Sequence, residues 1–131
     1  MINKGDTFTQ KFTISEEIYR GFIMLFNDTN PLHTDKSFAQ QKGFRSEVMY
    51  GNILNGFISY FIGECLPMKN VIIHSQEIKY SNPVYLHDNL EFHAEVADVF
   101  ESVNVIEFKY CFEKENKIIV AKGRIQIGVL A

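Results

Sequence analysis

Between Glu47 and Glu64 the chain runs for sixteen residues without a charged side chain, and this stretch limits the fold more than any other. It falls short of the ~20 residues that span a bilayer, and it contains Gly51, Asn52, Asn55 and Gly56. Ile53, Leu54, Phe57, Ile58, Phe61, Ile62 and Cys65 recur at helical spacing and cover a broad apolar face. Asn52, Asn55 and Ser59 form a narrow polar stripe at steps of three and four. A helix over Gly51–Leu66 with this pattern is expected to be buried nearly all round. It demands material to wrap it, and its few polar groups demand partners inside.

The second half of the sequence supplies the wrapping. Ile106, Phe108, Tyr110 and Phe112 alternate with Glu107, Lys109, Cys111 and Glu113. Leu90, Phe92, Ala94 and Val96 alternate with Glu91, His93 and Glu95, and the run from Ile119 to Val129 repeats the pattern. Val71–Tyr80 reads as a further strand, ended by Asn82-Pro83. Glu115-Asn116 lies between two runs as a hairpin turn, because Asn tolerates positive φ. Ahead of the buried helix, Thr7–Thr13 reads as an opening strand and Glu16–Phe26 as a helix capped by Thr13 or Ser15. Glu16 and Glu17 sit where the helix dipole favours negative charge. Thr34–Gln41 holds a short helix with Gly43 just past its end. These elements give an α+β fold, an antiparallel β-sheet with one apolar face wrapped around a long central helix.

Composition bounds the function. With 131 residues, 46% of them hydrophobic, the chain is long and apolar enough to bury a core as one domain, without disulfides or a structural metal. A net charge of -3 and the lack of a basic run argue against nucleic acid or an anionic membrane as main partner. Cys65 and Cys111 form no CxxC or zinc pattern and read as buried thiols. His74, His87 and His93 are scattered without metal spacing, so neither a metal site nor a cofactor is expected. Glu91, Glu95 and Glu101 read as a solvated strand face, and Lys42 and Arg45 as solvated surface charges, phosphate contact being the other reading. The first residues carry no apolar stretch of signal-peptide type, so a cytoplasmic location is expected.

The residues best placed for chemistry are Asp28-Thr29-Asn30-Pro31-Leu32-His33. Asp28 and His33 are five apart, off a common helix face, but a loop stiffened by Pro31 can fold both onto one point. A carboxylate and an imidazole meeting at one water are what acid–base chemistry near neutral pH requires. The same residues also fit a structural part: Asp28 and Asn30 as caps of helix ends, His33 as a satisfied buried histidine.

Three segments carry a family resemblance. Phe26–Asp35 with Ala39 resembles the signature of the MaoC-like, (R)-specific enoyl-CoA hydratase family. Phe44–Leu54 is similar to the family's approach to its central helix, and Asn82–Leu90 to its Pro-Val-x-x-Gly-Asp-x-Leu segment. The resemblance implies a hot-dog fold over residues 1–131 as one domain, and a homodimer or dimer of dimers. It implies reversible addition of water to a trans-2-enoyl thioester of coenzyme A or acyl carrier protein, giving an (R)-3-hydroxyacyl thioester. On it, Asp28 and His33 fall on the catalytic acid–base pair and Gly51 on the backbone donor to the thioester oxygen. Asn30 braces the loop, and Ser59 matches a polar position near the carboxylate. Three departures stand out: Phe26-Asn27 replaces a small-Gly pair, Tyr50 replaces a histidine before Gly51, and His87-Asp88 replaces Gly-Asp. They leave open two rivals on the same fold, a non-catalytic acyl-thioester-binding protein and a thioesterase.

Overall fold

The computed structural model describes all 131 residues. In chain order the elements are β1 (Thr7–Thr13), α1 (Glu16–Phe26), α2 (Pro31–Thr34), α3 (Lys36–Gln41), α4 (Gly51–Tyr60), β2 (Val71–Tyr80), β3 (Asn89–Phe100), β4 (Val105–Lys114) and β5 (Ile118–Val129). All strand pairs are antiparallel, in the order β1-β3-β4-β5-β2, which leaves β1 and β2 at the edges. The inward residues of the alternating runs, among them Phe92, Phe108, Phe112, Ile125 and Ile127, are fully buried against α4. Phe61 sits at the centre, its ring 4.9 Å from Phe92, 5.5 Å from Phe8 and 5.7 Å from Phe108. Each such aromatic contributes about 1.5–3 kcal/mol by leaving water. The wrapped-helix architecture is the one the periodicity predicts.

Three local expectations need correcting. The central helix is α-helical only to Tyr60, and Phe61–Cys65 widens into a π-helical turn. That turn keeps Phe61 and Ile62 against the core while Gly63 and Glu64 face out. Nor is the helix buried all round: Asn52, Gly56, Ser59 and Tyr60 are exposed, because a five-stranded sheet covers one side of the rod and leaves the small and polar stripe open. The expected Thr34–Gln41 helix is α3 alone, and the stretch expected as loop through His33 closes in a short helical turn, α2, that carries His33. Asp35 takes an extended conformation between them, and its side chain accepts from the Phe38 N–H.

Other local choices follow from residue chemistry. Of the two candidate caps for α1, Ser15 is the one used, its hydroxyl accepting from the Ile18 N–H at 3.1 Å. Asn116, with φ 63°, turns the β4–β5 hairpin together with Lys117 at φ 57°. Gly123 is required by a close approach: a Cβ there would lie 1.8 Å from the Glu77 carbonyl oxygen. Tyr110, opposite Gly123 on β4, passes over the vacant position and donates its hydroxyl to that same carbonyl at 2.8 Å. No helix is long and apolar enough to cross a membrane.

Two stability outcomes follow. Gly123→Ala should destabilise the protein by about 3 kcal/mol, the upper end of the range for overpacking, read as a lowered urea midpoint. Burial raises the phenol pKa of Tyr19, Tyr50, Tyr80 and Tyr110, most strongly at Tyr110. The folded state therefore holds protons that the unfolded chain releases above about pH 10. Stability should be constant in this respect below that pH and fall as pH rises beyond it. Urea unfolding between pH 8 and 11, followed with tyrosinate absorbance, checks the direction.

Candidate active site

The connection Asp28–Asn30, with α2 and its His33 directly after it, leaves α1 through Asn27, whose left-handed backbone (φ 55°, ψ 29°) donates its N–H to Ile23 O. Asparagine is among the few non-glycine residues at ease there, so it gives the turn that glycine would otherwise give. Asp28 Oδ1 then accepts from the Asn30 N–H at 3.1 Å, and Asn30 Oδ1 accepts from the Leu32 N–H at 2.9 Å, capping α2. Pro31 occupies the first position of α2, where its missing N–H costs nothing.

Two tyrosine hydroxyls pin this loop. Tyr19 of α1 donates to the His33 carbonyl at 2.5 Å, and Tyr50, just ahead of α4, donates to the Asp28 carbonyl. The Tyr50 ring is also stacked in a column, 4.4 Å from Phe22 and 4.2 Å from the His33 imidazole. His33 Nδ1 lies 2.6 Å from the Val48 carbonyl. A carbonyl only accepts, so Nδ1 carries the proton and Nε2 of the neutral ring presents its lone pair. Val48 in turn donates its N–H to Leu32 O, and Met49 donates to Val84 O.

His33, Tyr50 and Gly51 line a cavity of about 530 Å³ beside the first turn of α4. As the first residue of α4, Gly51 has an N–H without an intrahelical acceptor, at the positive end of the helix. A Cβ on Gly51 would lie 2.8 Å from the Tyr80 ring, so the glycine lets Tyr80 close over this helix end. Asp28 is exposed and lines a neighbouring groove of about 920 Å³ between α1 and α4. Its carboxylate makes no direct bond to His33. Asn52 walls both spaces. The loop thus brings the two side chains to opposite sides of one residue rather than into contact. Ser59 stands exposed further along α4 and lines neither space.

Several features escaped the sequence pattern. The hydroxyls of Tyr19 and Tyr50 were signalled only by tyrosine standing where a core position would accept phenylalanine, since a buried phenol needs an acceptor. Tyr80 and Gln76 reach the helix from β2, and no local spacing marks them. Glu91, His93 and Glu113 also converge, His93 Nε2 lying 3.0 Å and 3.2 Å from the two carboxylates. That cluster comes from the cross-strand register of β3 and β4, which spacing along the chain does not express. Arg45 lies 4.3 Å over the Tyr85 ring, and Lys42 Nζ lies 5.3 Å over Phe38. A further depression of about 900 Å³ on the sheet, lined in part by Lys109, Lys122 and Arg124, holds none of the loop residues.

Comparison with known proteins gives the family and the fold. The family described as MaoC like domain matches residues 2–119. An (R)-specific enoyl-CoA hydratase of Rhodospirillum rubrum is 28% identical over 119 residues, covering 91% of this chain and 83% of that protein. A mitochondrial 3-hydroxyacyl-acyl-carrier-protein dehydratase of Arabidopsis thaliana is 24% identical over 126 residues, 94% of this chain and 75% of that protein. Among solved structures, the (R)-hydratase from A. caviae superposes with a TM-score of 0.89 at 22% identity, covering 98% of each chain. This likeness fixes the fold, the hot dog that the resemblance implied.

The tyrosine clamps yield a measurable outcome. Tyr19→Phe and Tyr50→Phe each remove one hydrogen bond to the loop and should cost about 0.5–1.5 kcal/mol of stability. Amide hydrogen exchange over residues 29–34 should quicken more than that of β3 and β4. Equal acceleration everywhere would show that the hydroxyls act only on global stability.

Proposed function

Because the chain belongs to the MaoC-like domain family of hydratases and dehydratases, we propose that it adds water reversibly to a trans-2-enoyl thioester, giving an (R)-3-hydroxyacyl thioester. The observation that carries this reading is the loop clamped by Tyr19 and Tyr50, which sets Asp28 and His33 on either side of Asn52 at the leading end of α4. A water between the carboxylate and the free Nε2 of His33 loses a proton to the pair as its oxygen bonds to C3. The C2–C3 π electrons move onto C2 and the thioester carbonyl, and a proton returns to C2 on the same face. The Gly51 N–H faces the oxygen that gains charge and strengthens its hold in the transition state, by about 2.7–4 kcal/mol if it matches other oxyanion donors. Asn30 keeps the loop in shape, and Tyr50 fixes the Asp28 backbone and the His33 ring.

The acyl chain is carried by coenzyme A or an acyl carrier protein. The exposed side chains of Met24, Leu25 and Phe26 on α1, with the open stripe of α4, form an apolar surface beside the Asp28 groove. A second copy of the chain covers it, giving a homodimer. Sedimentation at micromolar concentration checks this, a stable monomer counting against it.

The activity test is direct. Native protein mixed with short and medium trans-2-enoyl-CoA thioesters should consume the conjugated absorbance. Asp28→Asn and His33→Gln should each lower turnover by about 10²–10⁴-fold, Asp28→Asn while melting like the native protein and His33→Gln with a somewhat lower melting temperature from the lost bond to Val48 O. Saturable binding of acyl-CoA without turnover would favour the binding-protein alternative, and release of free thiol would favour a thioesterase.

A further inference from the structure

Asn52 occupies the one position that faces both the His33 cavity and the Asp28 groove. Its side chain belongs to a directed chain of amides. Gln76 Nε2, from β2, donates to Asn55 Oδ1 at 2.7 Å, and Asn55 Nδ2 donates to Asn52 Oδ1 at 2.8 Å. Each amide in such a chain polarises the next, so the last one becomes a better donor than an isolated side chain. The last is Asn52 Nδ2, which has no acceptor within the protein and is exposed to both spaces. It lies one residue beyond the Gly51 N–H, at the same positive helix end.

Resting on the hydratase reading above, we propose that the Asn52 amide is a second donor to the thioester carbonyl oxygen, acting beside the Gly51 N–H. Asn55 and Gln76 are positioning residues that set its direction. A substrate whose C2 and C3 lie between Asp28 and His33 must pass this side chain, and its carbonyl is the group that gains negative charge. Two converging donors at one helix end hold that charge better than a single backbone N–H. The β2 edge strand thereby takes part in the site through Gln76, although none of its residues belongs to the Asp28–His33 loop.

The test is steady-state kinetics on a short trans-2-enoyl-CoA with Asn52→Asp, Asn52→Leu, Asn55→Ala and Gln76→Leu, each checked by circular dichroism and melting temperature. Asn52→Asp keeps the shape and the bond from Asn55 but removes the donor. It and Asn52→Leu should lower kcat by about 10²-fold with KM little changed. Asn55→Ala and Gln76→Leu should lower kcat by smaller factors, in that order, since they only release the donor's direction. Native turnover with kcat unchanged in both Asn52 variants overturns this proposal and leaves the hydratase reading intact, as does a rise in KM alone. Native protein without turnover on any enoyl thioester overturns both.

Discussion

The short segment Val48–Tyr50 holds the site together. Within three residues it donates to Leu32 O, accepts from His33 Nδ1, donates to Val84 O and donates through a phenol to Asp28 O. It also delivers the chain to the first turn of α4. The loop after α1, the segment before β3 and the leading end of the central helix therefore share one strut, and none can shift alone. Net hydrogen bonds of about 0.5–1.5 kcal/mol each are modest singly. Here most of them fix backbone, and the Phe22, Tyr50 and His33 rings stack in a column beside them.

The departures from the family signature have local physical answers. Asn27 takes the left-handed conformation that a glycine would have allowed, so the turn into the loop survives the loss of the small-Gly pair. His87 also has positive φ, at 72°, where the signature has glycine, and Asp88 closes that turn by accepting from the Tyr85 N–H. Tyr50 is the substitution with the greatest reach. It exchanges a histidine for a phenol that bonds one end of the loop and stacks on the other.

The sheet leaves one side of the central rod open, and the Asp28 part of the candidate site borders it. A sheet of five strands encloses one face of the central rod, and the α1–α4 groove on the other face is lined by apolar residues and amides together. A rod wrapped on all sides would have buried Asn52, Asn55 and Ser59 at the cost of their hydration. Outside the sheet, the same stripe keeps the Asn52 amide free to donate beside the positive end of a helix. Polarity that reads as a flaw in a core helix is in place as the wall of a cleft.

The sequence by itself determined the strands and α1, the face each strand turns inward and the turn after α1 that leads from Asp28 to His33. Those features depend on periodicity and on the backbone habits of Asn, Gly and Pro, which act over a few residues. Only the tertiary structure decided that the Asp28 carboxylate and the His33 ring lie on two sides of Asn52. It alone decided that Tyr19 and Tyr50 hold the loop by their hydroxyls, that Tyr80 requires Gly51, and that Gln76 bonds Asn55, twenty-one positions earlier. These contacts join residues distant along the chain, and they depend on strand register and helix docking. Both are set by packing the whole core at once, which no local pattern encodes.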